Sequence, residues 1–363
     1  MALEITSPWL PIHFGYILSG LFMLLITVIG YIAHDEKPYA GFRMFGTEPG
    51  DLVNSRAKER FVKNGISIMK RGLQEVVASG GPMLILPPSF VDEIRNDNRL
   101  SFPGAIERDW FPTYPGLEAV QALRHNIFQD MVKKNLMTSV ALDDEMDKVT
   151  EEMFPASKEW SELRFSPLSL QVVARLTARV FLGEPLCRNK EWIDLSIRYT
   201  IDAYLAAKTL RSWPPYLRPF VYRFLPELRV VRDQFQKARQ IIEPEIAARR
   251  HARHQALLEG KPRPKSNDAL SWFDDCAGDR PYDVTQGQML LTIVSIHTTS
   301  STLLALMYDI VGHSEYIDML REEITQVLKE EKGLTKTSLH RMKLLDSCMK
   351  ESQRLHPTGS GQF

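Results

Sequence analysis

Glu351-Ser352-Gln353-Arg354-Leu355-His356-Pro357 closes the chain's last periodic run, and about fifty positions earlier stands Ser295-Ile296-His297-Thr298-Thr299-Ser300. In the first stretch Glu351 and Arg354 are spaced i, i+3, which puts both on one face of a helix that Pro357 terminates. Such a pair is common on solvated surfaces, so alone it points to nothing more. The second stretch lies at the middle of an apolar helix expected over Thr285 to Val311, flanked by Met289, Leu290, Leu291, Ile293 and Val294 before and Leu303, Leu304, Leu306 and Met307 after. Ser295, Thr298, Thr299, Ser300, Ser301 and Thr302 place six hydroxyls beside the His297 imidazole. Mid-helix Ser and Thr can bond back to carbonyls a turn earlier and bend the axis, freeing backbone groups for water or a small ligand. The plainer reading is an interior helix whose hydroxyls are satisfied locally.

The chain has 363 residues, 44% hydrophobic and 25% charged, which is ample for a buried core and unlike a disordered composition. Lys+Arg and Asp+Glu are both 45, so net charge points to neither nucleic acid nor an acidic ligand. Cys187, Cys276 and Cys348 are odd in number and far apart, which argues against a disulfide framework and for a reducing, cytosolic surrounding. His251 and His254 share a helix face inside the basic run Arg249, Arg250, Arg253, Lys261, Arg263 and Lys265, which reads as a solvated helix end and loop. No aromatic interleaving supports nucleic-acid binding there.

From Phe14 to Ala33 twenty consecutive residues carry no charge. About 20 such residues, at ~1.5 Å each, span a bilayer core. Lys37, Arg43, Arg56, Lys58, Arg60 and Lys63 follow, and the positive-inside rule then places the remainder in the cytosol. Residues 1–34 are expected to be an N-terminal membrane anchor, and 35–81 a linker, with Pro38, Gly41, Gly46, Pro49 and Gly50, leading into a helical region. Pro82 to Pro88 reads as a strand, and helical periodicity covers Leu117 to Leu136, Ser166 to Phe181, Ile193 to Leu210, Arg229 to Leu258, Thr285 to Val311, Glu315 to Lys329 and Lys343 to Leu355. The expected fold is therefore mainly α with a minor β-sheet. The loops Phe102 to Gly116 and Ser212 to Pro226 are rich in proline and aromatics, including Trp110, Phe111, Tyr114, Trp213, Tyr216 and Phe220. They either pack on the core, line an apolar pocket or dip into the bilayer surface.

Taken together, the hydroxyl-rich helix centre and the run Leu344 to Pro357 with its Glu-x-x-Arg spacing resemble the cytochrome P-450 family of haem-thiolate monooxygenases. The resemblance covers Phe14 to Pro357 and implies that family's fold, haem as cofactor, an NADPH-dependent reductase as electron donor and a lipophilic substrate. It casts Thr298 as the hydroxyl that assists at bound dioxygen and relays a proton, and Ser295 as the small residue before it. His297 stands where many members carry Asp or Glu and would sit on the proton route. Glu351 and Arg354 would form the family's buried ion pair behind the haem. Arg124 would meet a haem propionate, although Val120 occupies the position where the family often has tryptophan.

The family's Phe-x-x-Gly-x-Arg-x-Cys-x-Gly loop, whose thiolate ligates iron, is absent from these residues, and none of the three cysteines has its glycine-flanked setting. Residues 82–357 are thus expected to form a truncated monooxygenase-like body, with 358–363 a tail outside the family pattern. The implied activity is oxidation of a terpenoid or meroterpenoid-like substrate in fungal secondary metabolism, at the endoplasmic reticulum membrane with the body in the cytosol, by a chain that is itself catalytically incomplete. A haem-free pseudoenzyme and a membrane-tethered helical interaction protein are the alternatives.

Overall fold

A computed structural model describes residues 10–35, short pieces between 56 and 100, and 101–357 apart from 136–142, 155–161, Pro214, Arg263 and Lys265. The expected linker residues 37–50 and the tail 358–363 lie outside the described residues. The chain divides into two units, Met1–Leu100 and Ser101–Phe363.

In the first unit, α1 spans Leu10–Asp35. Tyr16, Leu21, Phe22, Met23 and Leu24 on it are each more than half exposed. Strand β1 (Glu75–Ala78) pairs antiparallel with β2 (Gly81–Leu84), with Glu75 opposite Leu84. The expected strand at Pro82 to Pro88 overlaps β2 only in its first three residues. No other strand occurs among the described residues. A single turn, α2 (Val91–Ile94), follows.

The second unit is helical. It contains α3 (Phe102–Trp110), a 3-10 segment Glu118–Asn126, α4 (Ile127–Lys134), α5 (Asp143–Met153), α6 (Phe165–Leu182), α7 (Lys190–Ser212), α8 (Arg218–Val221), α9 (Pro226–Leu258), α10 (Ala269–Ala277), α11 (Val284–Gly312), α12 (Glu315–Glu331), α13 (Lys336–Arg341) and α14 (Lys343–Leu355). The sequence pattern explains the long helices. On α9, Leu228, Val231, Phe235, Ala238 and Ile242 recur every three or four residues and are all buried. Full burial of the larger of these stabilises by about 1.5–3 kcal/mol each. This stripe meets Trp192, Tyr199 and Leu210 of α7 and Met289 and Leu291 of α11 in one core.

One expected helix, Leu117 to Leu136, is corrected. It breaks where His125 and Asn126 take left-handed φ of 63° and 58°, and the chain re-enters α-helix only at Ile127. The basic run on α9 is also corrected. Although His251 and His254 are exposed, Arg249 bonds Asp268 at 2.7 and 2.8 Å and Glu245 at 2.6 Å, while Arg250 and Arg253 both reach Asp274. Of the aromatic loops, Phe111 and Tyr114 pack edge to face and Tyr114 meets Tyr222, so that part lies on the core. Phe220 and Phe224 remain 68% and 79% exposed.

Gly116 joins α7 and α9. Its carbonyl accepts the buried Tyr199 hydroxyl at 2.7 Å, and its N–H donates to Glu118 at 2.6 Å. Burial raises the Glu118 carboxyl above its ordinary value of 4.5, against the pull of that N–H and of Arg239. A carboxyl raised in the folded state binds more protons folded than unfolded, so stability falls as pH rises through the window above 4.5. Glu118→Gln, which keeps the acceptor and removes the charge, is expected to be at least as stable as the unmutated chain at neutral pH. Urea unfolding should show the difference vanishing below about pH 4.5, and a Gln variant that is weaker at neutral pH would contradict this.

Candidate functional site

Helix α11 carries Ser295, His297 and Thr298 at its middle and borders the clefts of Arg124 and Glu351 toward its two ends. Asp283 caps it, accepting from the N–H groups of Thr285 and Gln286, and is itself paired to Arg239 of α9 at 2.7 Å. The first turns are buried nearly all round by Met289, Leu290, Leu291 and Thr292. Gln288 donates to the Phe181 carbonyl of α6 at 3.1 Å. From Val294 onward the helix is two-faced. Ile296, Ser300 and Leu306 are buried, whereas Val294, Thr298, Ser301 and Tyr308 form an open stripe at spacings of three, four and seven.

The polar centre is built as the plainer reading has it. Ser295 bonds the Leu291 carbonyl, Thr298 that of Val294 at 2.6 Å, Ser300 that of His297 at 3.2 Å and Thr302 that of Thr298 at 3.0 Å. Its donor thus engaged, the exposed Thr298 oxygen keeps lone pairs with which to accept a hydrogen bond from anything in the open stripe. His297 reaches another element, with Nε2 2.7 Å from the Ile197 carbonyl of α7.

Arg124 lies elsewhere. It lines a cleft of about 320 Å³ with His125, Phe273, Tyr282 and Gln286 at the N-terminal end of α11. Gln286 precedes Thr298 by twelve residues, roughly 18 Å along a helix axis. The Arg124 guanidinium bonds Glu107 at 2.6 and 3.2 Å, a pairing that holds the Glu107 carboxyl below the usual range and raises Arg124. A propionate would have to displace that carboxylate. At the far end, Glu351 and Arg354 bond each other at 2.6 and 2.8 Å on α14. Both side chains are more than half exposed, so the burial implied by resemblance is corrected here. Glu351 borders a groove of about 560 Å³ with Leu306, Ile310, Tyr316, Cys348 and Leu355. Two contacts missed in the sequence fix α14 in place. Glu323 of α12 accepts the Leu344 and Leu345 N–H groups at 2.8 and 3.0 Å, and His356 meets Asp309 at 3.1 Å. The Ser352 hydroxyl and His356 hold the Asp309 carboxyl below its usual value.

With this geometry in hand, comparison with known proteins is decisive. The profile of the family described as cytochrome P450 matches residues 111–362, which includes α11, α14 and the polar centre.

The chain belongs to the cytochrome P450 family.

It is 38% identical over 316 residues to cytochrome P450 monooxygenase ntnM of a Nectria species, an alignment covering 84% of this chain and 60% of that protein. It is 33% identical to cytochrome P450 monooxygenase adrA of Penicillium rubens, covering 94% and 68% of the two chains. With cytochrome P450 monooxygenase pyr3 of Aspergillus fumigatus it shares 35% identity over 85% of this chain and 61% of the other. The chain thus spans about two thirds of the length of these relatives.

Cytochromes P450 are haem enzymes, and the residues here fit that group in part. The open stripe Val294, Thr298, Ser301 offers hydroxyls beside one aliphatic side chain, which suits the oxygen side of a haem. The thiols do not fit the opposite side. Cys187 is 1% exposed and Cys276 9%, and burial pushes both thiols up, away from the thiolate that ligates a metal. Cys348 is half-buried beside Leu306 and Ile310 in the α14 groove. Among the described residues no three of His, Cys, Asp and Glu cluster as a metal site.

Proposed function

We propose that this cytochrome P450 serves as a monooxygenase of fungal secondary metabolism, oxidising a lipophilic, terpenoid or meroterpenoid-like substrate with dioxygen and electrons from an NADPH-dependent reductase. The observation that carries this reading is the exposed stripe on α11, where the Thr298 hydroxyl stands between Val294 and Ser301, inside the residues that match the family. Haem, when bound, supplies the activation of dioxygen. Thr298 accepts a hydrogen bond at the reacting side and, by rotating about χ1, passes a proton. Ser295 keeps its hydroxyl folded back on Leu291 and leaves room beside it. Arg124 and the Glu351–Arg354 pair are assigned supporting places, the first toward a propionate once freed from Glu107.

Helix α1 is assigned as a single-pass anchor at the endoplasmic reticulum, with the body in the cytosol. Its large apolar side chains, uncovered around the helix, support that assignment. Among the described residues Val284–Gly312 is the helix long and apolar enough to span a bilayer, but its first half lies in the protein core, while the described apolar part of α1, Gly15–Val28, is shorter.

The raised Cys187 and Cys276 thiols favour a second reading for residues 1–363 taken alone, a helical body that holds no haem-thiolate. Expressed with excess haem and examined under carbon monoxide, these residues are expected to give no thiolate-type Soret band. Such a band, lost on Cys348→Ser, would show that the ligand had been misjudged. For the monooxygenase reading, protein purified from its native membranes should bind haem and couple NADPH oxidation to product, and absence of both would refute it.

A further inference from the structure

We propose that His297 is a positioning residue, the donor that holds α7 across the polar centre of α11 and sets how closely the two helices lie there. Its Nε2 lies 2.7 Å from the Ile197 carbonyl. A carbonyl only accepts, so this nitrogen carries a proton. The tie is reciprocated, with the Thr200 hydroxyl of α7 directed at the Thr292 carbonyl of α11 at 3.5 Å. Each helix therefore lends one side chain to the other's backbone. While Ser295, Thr298, Ser300 and Thr302 bond within their own helix, His297 spans the two.

What the tie governs follows from helical spacing. On α7 the exposed residues Ile201, Tyr204 and Leu205 follow Ile197 at four, seven and eight, and on α11 Val294, Thr298 and Ser301 flank His297. The ties of Ile197 to His297 and of Thr200 to Thr292 run antiparallel, so together they set how closely α7 lies on α11 at residues 292–297, beside Val294, and through that what can reach the open stripe. An ionised carboxylate at position 297 could not make it, because it offers acceptors to another acceptor.

The bearing on substrate rests on the monooxygenase reading, but the tie itself does not, and its test is independent of haem. Hydrogen exchange is followed on the unmutated chain and on His297→Ala, His297→Asp and His297→Gln. Amides of residues 197–205 are expected to exchange about three- to tenfold faster in the Ala and Asp variants, the effect of losing one net hydrogen bond. The Gln variant, whose amide still donates, should stay within about twofold of the unmutated chain. Amides of α12 report whether each variant is folded. A Gln variant that exchanges as fast as Ala, or an Ala variant no faster than the unmutated chain, overturns the proposal. Should the variants not fold, ¹⁵N shifts of the ring in the unmutated chain decide the matter. The Nε2–H form supports the tie, and Nδ1–H overturns it.

Discussion

Arg249→Ala is expected to lower the unfolding free energy by roughly 3–5 kcal/mol, the cost of leaving a buried carboxylate without its cation. Asp268 is 4% exposed at its side chain, and besides Arg249 its carboxylate accepts the Ser271 N–H as the cap of α10. The same guanidinium reaches the Leu182 and Glu184 carbonyls at 3.3 and 3.4 Å, so one side chain joins α9, the end of α6 and the start of α10. Arg249→Lys should recover little, because a single ammonium cannot serve Glu245, Asp268 and two carbonyls in a planar fork. Urea unfolding of the detergent-solubilised protein, followed by far-UV circular dichroism, measures both. A loss under about 1 kcal/mol for the alanine variant would place the pair among ordinary surface bridges.

Gly116→Ala should be comparably damaging through the backbone. Gly116 has φ +96°, and a Cβ there would lie 2.5 Å from the Arg232 nitrogen and 2.8 Å from the Val231 carbonyl carbon. Those are main-chain atoms of α9 and cannot rotate aside, so the helix itself must retreat from α7 or the Tyr199 bond must open. The strained φ alone costs of order 1–3 kcal/mol, and overpacking adds a similar amount. Expression with retention of the near-UV aromatic signal of Tyr199 and its neighbours would show that this junction is softer than its geometry implies.

The long helices were legible because burial imposes a period. The alternation of three and four from Leu228 to Ile242 survives any tertiary detail, and so do the apolar flanks of Thr285 to Val311. The hydroxyl cluster stands out by composition in an apolar helix, and only the family resemblance singles out Thr298 within it. The break at His125 and Asn126 was hidden because neither residue announces positive φ as glycine does, though Asn tolerates it. The aromatics and proline of Phe102 to Gly116 read as loop, yet Phe102–Trp110 is helical, with Ser101 as its cap and Pro103 in its first turn. The Arg249 network and the His297 tie lie beyond single-sequence reasoning. Their partners stand 19 and 100 positions away, and nothing in a basic run or a polar helix centre names them.

Asp283 fixes where α11 begins, since its carboxylate is locked to Arg239 while it caps the first turn. Everything downstream inherits its angular phase from that point. Inserting one residue between Asp283 and Val294 would rotate Thr298 by roughly 100° about the axis and advance it by ~1.5 Å, carrying the hydroxyl off the open stripe. The interval from cap to threonine should therefore admit length changes only in near-whole turns.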